Sequence, residues 1–162
     1  MKRLLSGLLV LMTVMLCGCN GALPDQTVIC SDLTITLPGY FMDLSDEEFA
    51  REFEMVYGFQ DEAVFVLKEP AAELTPYYPE IDTEEYAHLA VESYGLDSTV
   101  EIVDSIPTFT YSAQAQDMGF TYMVGVFQSE TDFWMVQCYC NTEDYDEKKS
   151  QMWDCIKSVR IG

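Results

Sequence analysis

Between Thr108 and Cys140 the chain carries three runs rich in β-branched and aromatic residues, with almost nothing between them. The runs are Thr108–Ala115, Phe120–Gln128 and Phe133–Cys140, separated by turns at Asp117-Met118-Gly119 and Ser129-Glu130-Thr131-Asp132. Parallel neighbours need a crossover of a dozen residues or more, so turns this short permit only an antiparallel meander. One face of such a sheet must be covered by the rest of the chain.

The remaining elements are read from period and punctuation. Leu33-Thr34-Ile35-Thr36-Leu37 alternates with period two and stops at Pro38-Gly39, the mark of a strand and its turn. Ser45-Asp46-Glu47-Glu48 has the form of a capping box, and Phe49, Phe53, Val56 and Tyr57 follow at helical spacing before Gly58. These predict a first helix. Ala63–Leu67 is a short apolar run that reads as an inner strand. Residues 69–81, "EPAAELTPYYPEI", hold three prolines and read as a loop. Asp82 caps a second helix, with Glu85 at N3, an apolar face of Tyr86, Leu89, Ala90 and Tyr94, and Gly95 as its stop. Val100–Ile106 reads as a strand. A last helix over about 143–158 places Tyr145, Lys149, Met152, Trp153, Ile156 and Val159 on one side, with acids in its first turn and Lys157 and Arg160 at its end. The order of elements predicts an α+β fold, an antiparallel β-sheet flanked by helices.

The amino end sets an address. Met1-Lys2-Arg3 is cationic, and Leu4–Leu16 is apolar but for Ser6, Gly7 and Thr13. A membrane span needs roughly 20 apolar residues, so this run has the length of a signal's hydrophobic region instead. It closes in Leu16-Cys17-Gly18-Cys19, which resembles a bacterial lipobox with Cys17 where Ala, Ser or Thr is usual. The resemblance implies cleavage after Gly18, lipidation (diacylglycerol and palmitate) of Cys19, and a cell-membrane protein anchored on the extracytoplasmic side. The expected organisation is a signal peptide over 1–18, a lipidated tether over 19–27 and a single α+β domain over 28–162.

Charge excludes one class of partner. Of the 8 basic residues, Lys2 and Arg3 fall in the signal, which leaves the mature chain at a formal charge of −22. Nucleic-acid binding needs a basic patch, and the chain has none to offer. An acidic body favours cationic partners, whether an envelope protein with a basic face, a small cationic ligand or a divalent ion.

Catalytic signatures are few. His88 is the only histidine, and it falls off the apolar face of the second helix. Hydrolytic triads therefore lack their base. No phosphate-cradling glycine loop or zinc-protease motif occurs, and no cofactor is expected. Two chemistries remain open by count alone. One is an envelope hydrolase with paired carboxylates. The other is a divalent-cation site among Glu143, Asp144, Asp146 and Glu147, where helix-dipole electrostatics explains the same cluster.

Three segments carry a family resemblance: "LTITLPGYF", "DFWMVQCYCN" and "MWDCIKSVRI". Together with the order of elements they resemble the PsbP-like superfamily, which includes proteins of the Mog and DcrB type. The resemblance implies an α/β/α sandwich and a non-enzymatic role in binding or assembly. It carries no site residue over.

Four cysteines accompany Cys19 in the mature chain: Cys30, Cys138, Cys140 and Cys155. Cys138 and Cys140 stand two apart on a strand and share a face with Trp134 and Val136. Cys155 lies on the helix that must cover a sheet face. A bond from Cys155 to either partner would close a loop of about fifteen residues, worth roughly 3 kcal/mol, and Cys30, placed before the first strand, would meet the thiol left over. Free buried thiols and a soft-metal site fit the same pattern. For partner contact the candidates are Tyr77 and Tyr78 in the proline-rich loop, large side chains among acidic neighbours.

Overall fold

The computed structural model describes residues 23–115 and 117–162. The signal segment, the lipidation site Cys19 and the start of the tether lie outside the described residues.

The meander forms as the turn lengths require. Strands β7 (Ile106–Ala115), β8 (Met118–Gln128) and β9 (Asp132–Asn141) pair antiparallel, with Tyr111 opposite Tyr122 and Tyr122 opposite Tyr139. Strand β5 (Glu62–Pro70) pairs with the other edge of β9, setting Val66 against Val136. Three shorter strands complete a seven-stranded sheet: β3 (Met42–Asp43), β4 (Met55–Phe59) and β6 (Glu101–Val103), in the order β3-β4-β5-β9-β8-β7-β6. A second sheet of three strands holds β1 (Gln26–Cys30), β2 (Leu33–Leu37) and β10 (Arg160–Ile161), with β2 at its centre. Three α-helices are present among the described residues: α1 (Ala71–Leu74), α2 (Thr83–Ser93) and α3 (Tyr145–Lys157).

Alternation divides the large sheet into two faces. Val64, Val66, Trp134, Val136, Cys138 and Cys140 point to one side. There α3 (through Met152, Cys155, Ile156) and β2 (through Leu33, Ile35, Leu37) bury them in the larger core. Phe109, Val124, Val126, Phe133 and Met135 point to the other, under Tyr86, Ala87 and Ala90 of α2. Helices thus cover both faces of an antiparallel sheet, with the three-stranded sheet added beside α3. Among the described residues no helix is long and apolar enough to cross a membrane.

Several local expectations are corrected. The helix predicted after Ser45 is a single 3-10 turn at Glu48–Ala50, and Met55–Phe59 is strand β4 instead. The cause is tertiary. Gln60 adopts a left-handed φ of 55°, which folds β4 back onto β5. A Cβ at Gly58 would lie 2.7 Å from that of Ala63, so the two strands approach closely there. Val100–Ile106 is not one strand. Asp104 and Ser105, with φ of 50° and 67°, turn the chain between β6 and β7. Cys30 does not precede the first strand but ends one, β1, whose alternation is too weak to announce it. On α3 the charged residue that reaches the body is Lys148, not Lys149. Its ammonium sits 2.7 Å from Glu62, whose other oxygen accepts from the Tyr40 hydroxyl at 3.1 Å. Cys155 joins the buried stripe of α3, at 5% exposure.

Candidate functional site

The proline-rich loop and α2 together form a groove of about 740 Å³. Local chemistry shapes it. After α1 the amides of Tyr77 and Tyr78 both donate to the Leu74 carbonyl at 2.9 Å, so the chain turns tightly before Pro79. Ile81 packs into the smaller core and pins the far end of the loop. Between these anchors Tyr77 is thrust into solvent, 79% exposed, and Tyr78 is 45% exposed. Neither ring joins either hydrophobic core. Asp82 then starts α2 with the predicted capping box: Glu85 N–H donates to Asp82 Oδ1 at 2.9 Å, and Asp82 N–H to Glu85 Oε2 at 3.4 Å.

Glu85, His88, Leu89 and Glu92 recur at i, i+3, i+4 and i+7 and line the groove from the helix side. The buried face of α2 is Tyr86, Ala87 and Ala90, so Leu89 is released to the groove and Tyr94, 65% exposed, does not join the core. Tyr86 stacks on Phe133 at 4.5 Å and donates its hydroxyl to Glu69 at 2.8 Å. Burial first, then that carboxylate, pushes its phenol well above the ordinary range. This locks the helix against the sheet and fixes the groove's far wall.

The groove is acidic. Glu80, Glu85 and Glu92 line it, and no lysine or arginine occurs anywhere between Lys68 and Lys148. No serine, threonine, cysteine or lysine is among the lining residues, so His88 has no hydroxyl or thiol of the hydrolase-triad kind beside it there. All three carboxylates are exposed. Two tyrosine rings beside a field of carboxylates can hold a positive charge, by ring-face attraction and by ion pairing.

The other candidates fall in different places. Glu143, Asp144, Asp146 and Glu147 are all exposed, and Asp146 faces Lys149 at 3.9 Å. Among the described residues no three of histidine, cysteine, aspartate and glutamate converge so as to hold a metal ion. Cys138, Cys140 and Cys155 gather in the larger core, and all four described cysteines are free thiols in this structure. The Cys138 thiol donates to the Met152 carbonyl at 3.6 Å, and Cys140 lies 3.7 Å from the Met152 sulfur. Hydrogen bonding to Cys155, then burial, raises Cys138 far above an ordinary thiol, and burial pushes Cys140 up to about 11. These are unreactive thiols. Cys30 has other neighbours: its thiol donates to the Glu54 carbonyl at 3.6 Å, and burial and Glu54 raise its pKa.

The sheet face beyond α2 carries a continuous file of rings. Phe53 meets Phe65 at 4.7 Å, Phe65 stacks on Tyr139 at 5.4 Å, Tyr139 meets Tyr122 at 5.4 Å, and Tyr122 stacks on Tyr111 at 4.7 Å and 1°. The signal was present as aromatics at period two in β7 and β8, but only strand register sets them side by side.

Two antiparallel sheets with helices on both faces of the larger one make this a PsbP-like fold. Cyanobacterial PsbP (CyanoP) from Synechocystis sp. PCC 6803 is similar with a TM-score of 0.56 at 11% identity, covering 90% of this chain and 97% of that one. LpqN of Mycobacterium tuberculosis, described as involved in cell envelope biogenesis, has a TM-score of 0.51 at 10% identity, over 85% of this chain and 90% of that one. A protein of Bacteroides thetaiotaomicron VPI-5482 has a TM-score of 0.53 at 5% identity, and the match spans 85% of this chain but 48% of that protein. No family model and no curated protein sequence matches the chain.

Proposed function

We propose that the protein is a lipid-anchored, extracytoplasmic binding module that holds a basic segment of an envelope protein in the Tyr77/Tyr78 groove and does not turn it over. The observation that carries this reading is the pair of exposed tyrosines on a groove whose charged lining is Glu80, Glu85 and Glu92, with only His88 to set against them. Rigid aromatic side chains are cheap to order on binding, and surrounding charge of one sign speeds encounter with a partner of the other. Anchoring follows from Cys19, with two or more acyl chains holding an acidic body that an anionic leaflet repels. The fold shared with LpqN, described in terms of envelope biogenesis, supports a role in that compartment.

Cross-linking in the native envelope tests the groove. Mass spectrometry should identify a captured protein with a basic surface segment, and the double substitution Tyr77→Ala/Tyr78→Ala should remove it from the captured set. An unchanged set of captured proteins would sink the assignment.

A further inference from the structure

The geometry points to a second binding site, on the sheet face at the carboxyl end of α2, for a small organic monocation with an aryl or branched-alkyl body. A cleft of about 370 Å³ opens there, and none of its lining residues belongs to the Tyr77/Tyr78 groove. Small-molecule sites are typically of a few hundred Å³, mostly apolar, with few polar groups placed to orient the ligand. This cleft has that make-up. Leu67, Phe109 and Met135 form an apolar floor, and Phe53, Tyr94 and Tyr111 supply ring walls. Its polar side chains other than the wall phenols are Gln137 and the Glu52 carboxylate.

Two of the three walls are held in place before any ligand arrives. Tyr111 is clamped between its stack on Tyr122 and its hydroxyl's 3.1 Å bond to the Gln137 side-chain carbonyl, and Phe53 lies against Phe65. A preformed pocket loses little entropy on binding. Charge selects the ligand's sign. Glu52 is exposed and is the one carboxylate among the lining residues, while Arg51, next in sequence, pairs with Glu48 at 3.9 Å. An apolar body therefore finds the floor and rings, and one positive charge finds Glu52. An anion of the same body meets repulsion, and a bare cation forfeits the apolar contact.

Calorimetric titration of the full chain in neutral detergent tests the assignment, with 2-phenylethylammonium as the probe. Saturable binding is expected, with 3-phenylpropionate and ethylammonium each about tenfold weaker or worse. Glu52→Gln should weaken the probe by about fivefold. Tyr94→Ala should weaken it as well, and Tyr77→Ala/Tyr78→Ala should leave it unchanged. Residues 52 and 94 are exposed, so neither substitution threatens the fold. Failure of the probe to saturate, equal binding of the anion, or indifference to Glu52→Gln would overturn the site. Loss of binding in the Tyr77/Tyr78 variant with wild-type affinity in Tyr94→Ala would move the probe to the groove and overturn it equally.

Discussion

The phenol of Tyr111 stands between a neighbouring ring and the half-buried Gln137 amide, and its acidity reports that place. Burial, then the proximity of Tyr122 and Tyr94, pushes it up to about 12, while burial raises Tyr122 and Tyr139 in the same direction. A neutral phenol favoured by the fold contributes stability that is fully present below its unfolded value of 10.0 and is lost as pH rises through the folded value. Cys140 follows the same sign from 9.0 to about 11, and the hydrogen bond to Glu62 raises Lys148 above 10.5. Stability measured by urea unfolding should therefore hold level from neutral pH to about 9, then decline towards 12. Phenolate absorbance should show a late-titrating set that joins the rest only on unfolding. A midpoint that already falls between pH 7 and 9 would contradict this account of the ring file. At this scale the sequence was legible where a residue's neighbours are local, as in the Asp82–Glu85 capping box. It was not legible for Tyr94, which helical spacing places near the apolar face but which follows the last residue of the helix and stands 65% exposed on the wall of a cleft instead of in the core.

At the scale of elements, α3 passes close over the sheet at Gly125. A Cβ built there would collide with the Ile156 side chain and stand 3.3 Å from the Phe127 ring. The small residue is required by the neighbour, since β8 must pass under the helix. Overpacking a dense core costs about 1–3 kcal/mol, so Gly125→Ala should lower the unfolding free energy by that amount. Combined with Ile156→Ala it should lose less than the sum of the two single losses, because the second change removes the obstructing methyl. Strict additivity in chemical denaturation would rule out that contact. The same scale explains the failed helix at 49–57. Its helical spacing is real, but Met55–Phe59 also satisfies a strand, and a long partner in β5 offers hydrogen bonds and burial that an isolated helix cannot match.

The whole molecule is an acidic body with two concave aromatic surfaces, proposed to hang from one lipidated residue. Cys19→Ala should move the protein from the membrane fraction to the soluble extracytoplasmic fraction, because a body that carries 28 acidic residues against 8 basic ones has no affinity of its own for an anionic leaflet. Persistence of the variant in the membrane after a high-salt wash would overturn the anchoring scheme. Part of this picture was present in the one-dimensional chain. Turn lengths forced the meander, alternation placed Cys138 and Cys140 with Trp134 on the inner face, and the run from Lys68 to Lys148 without a basic residue fixed the sign of the charge. Those properties depend on covalent spacing and composition, which folding cannot alter. Tertiary structure alone decided the rest. It split β1, β2 and β10 into a sheet of their own, gave Met55–Phe59 to β4, and brought Phe53, Leu67, Tyr94, Met135 and Gln137 to one cleft. Those outcomes turn on which distant strands pair and which helix covers which half of a sheet. Such choices are settled by burial summed over the whole core, and no local stretch of sequence encodes that sum.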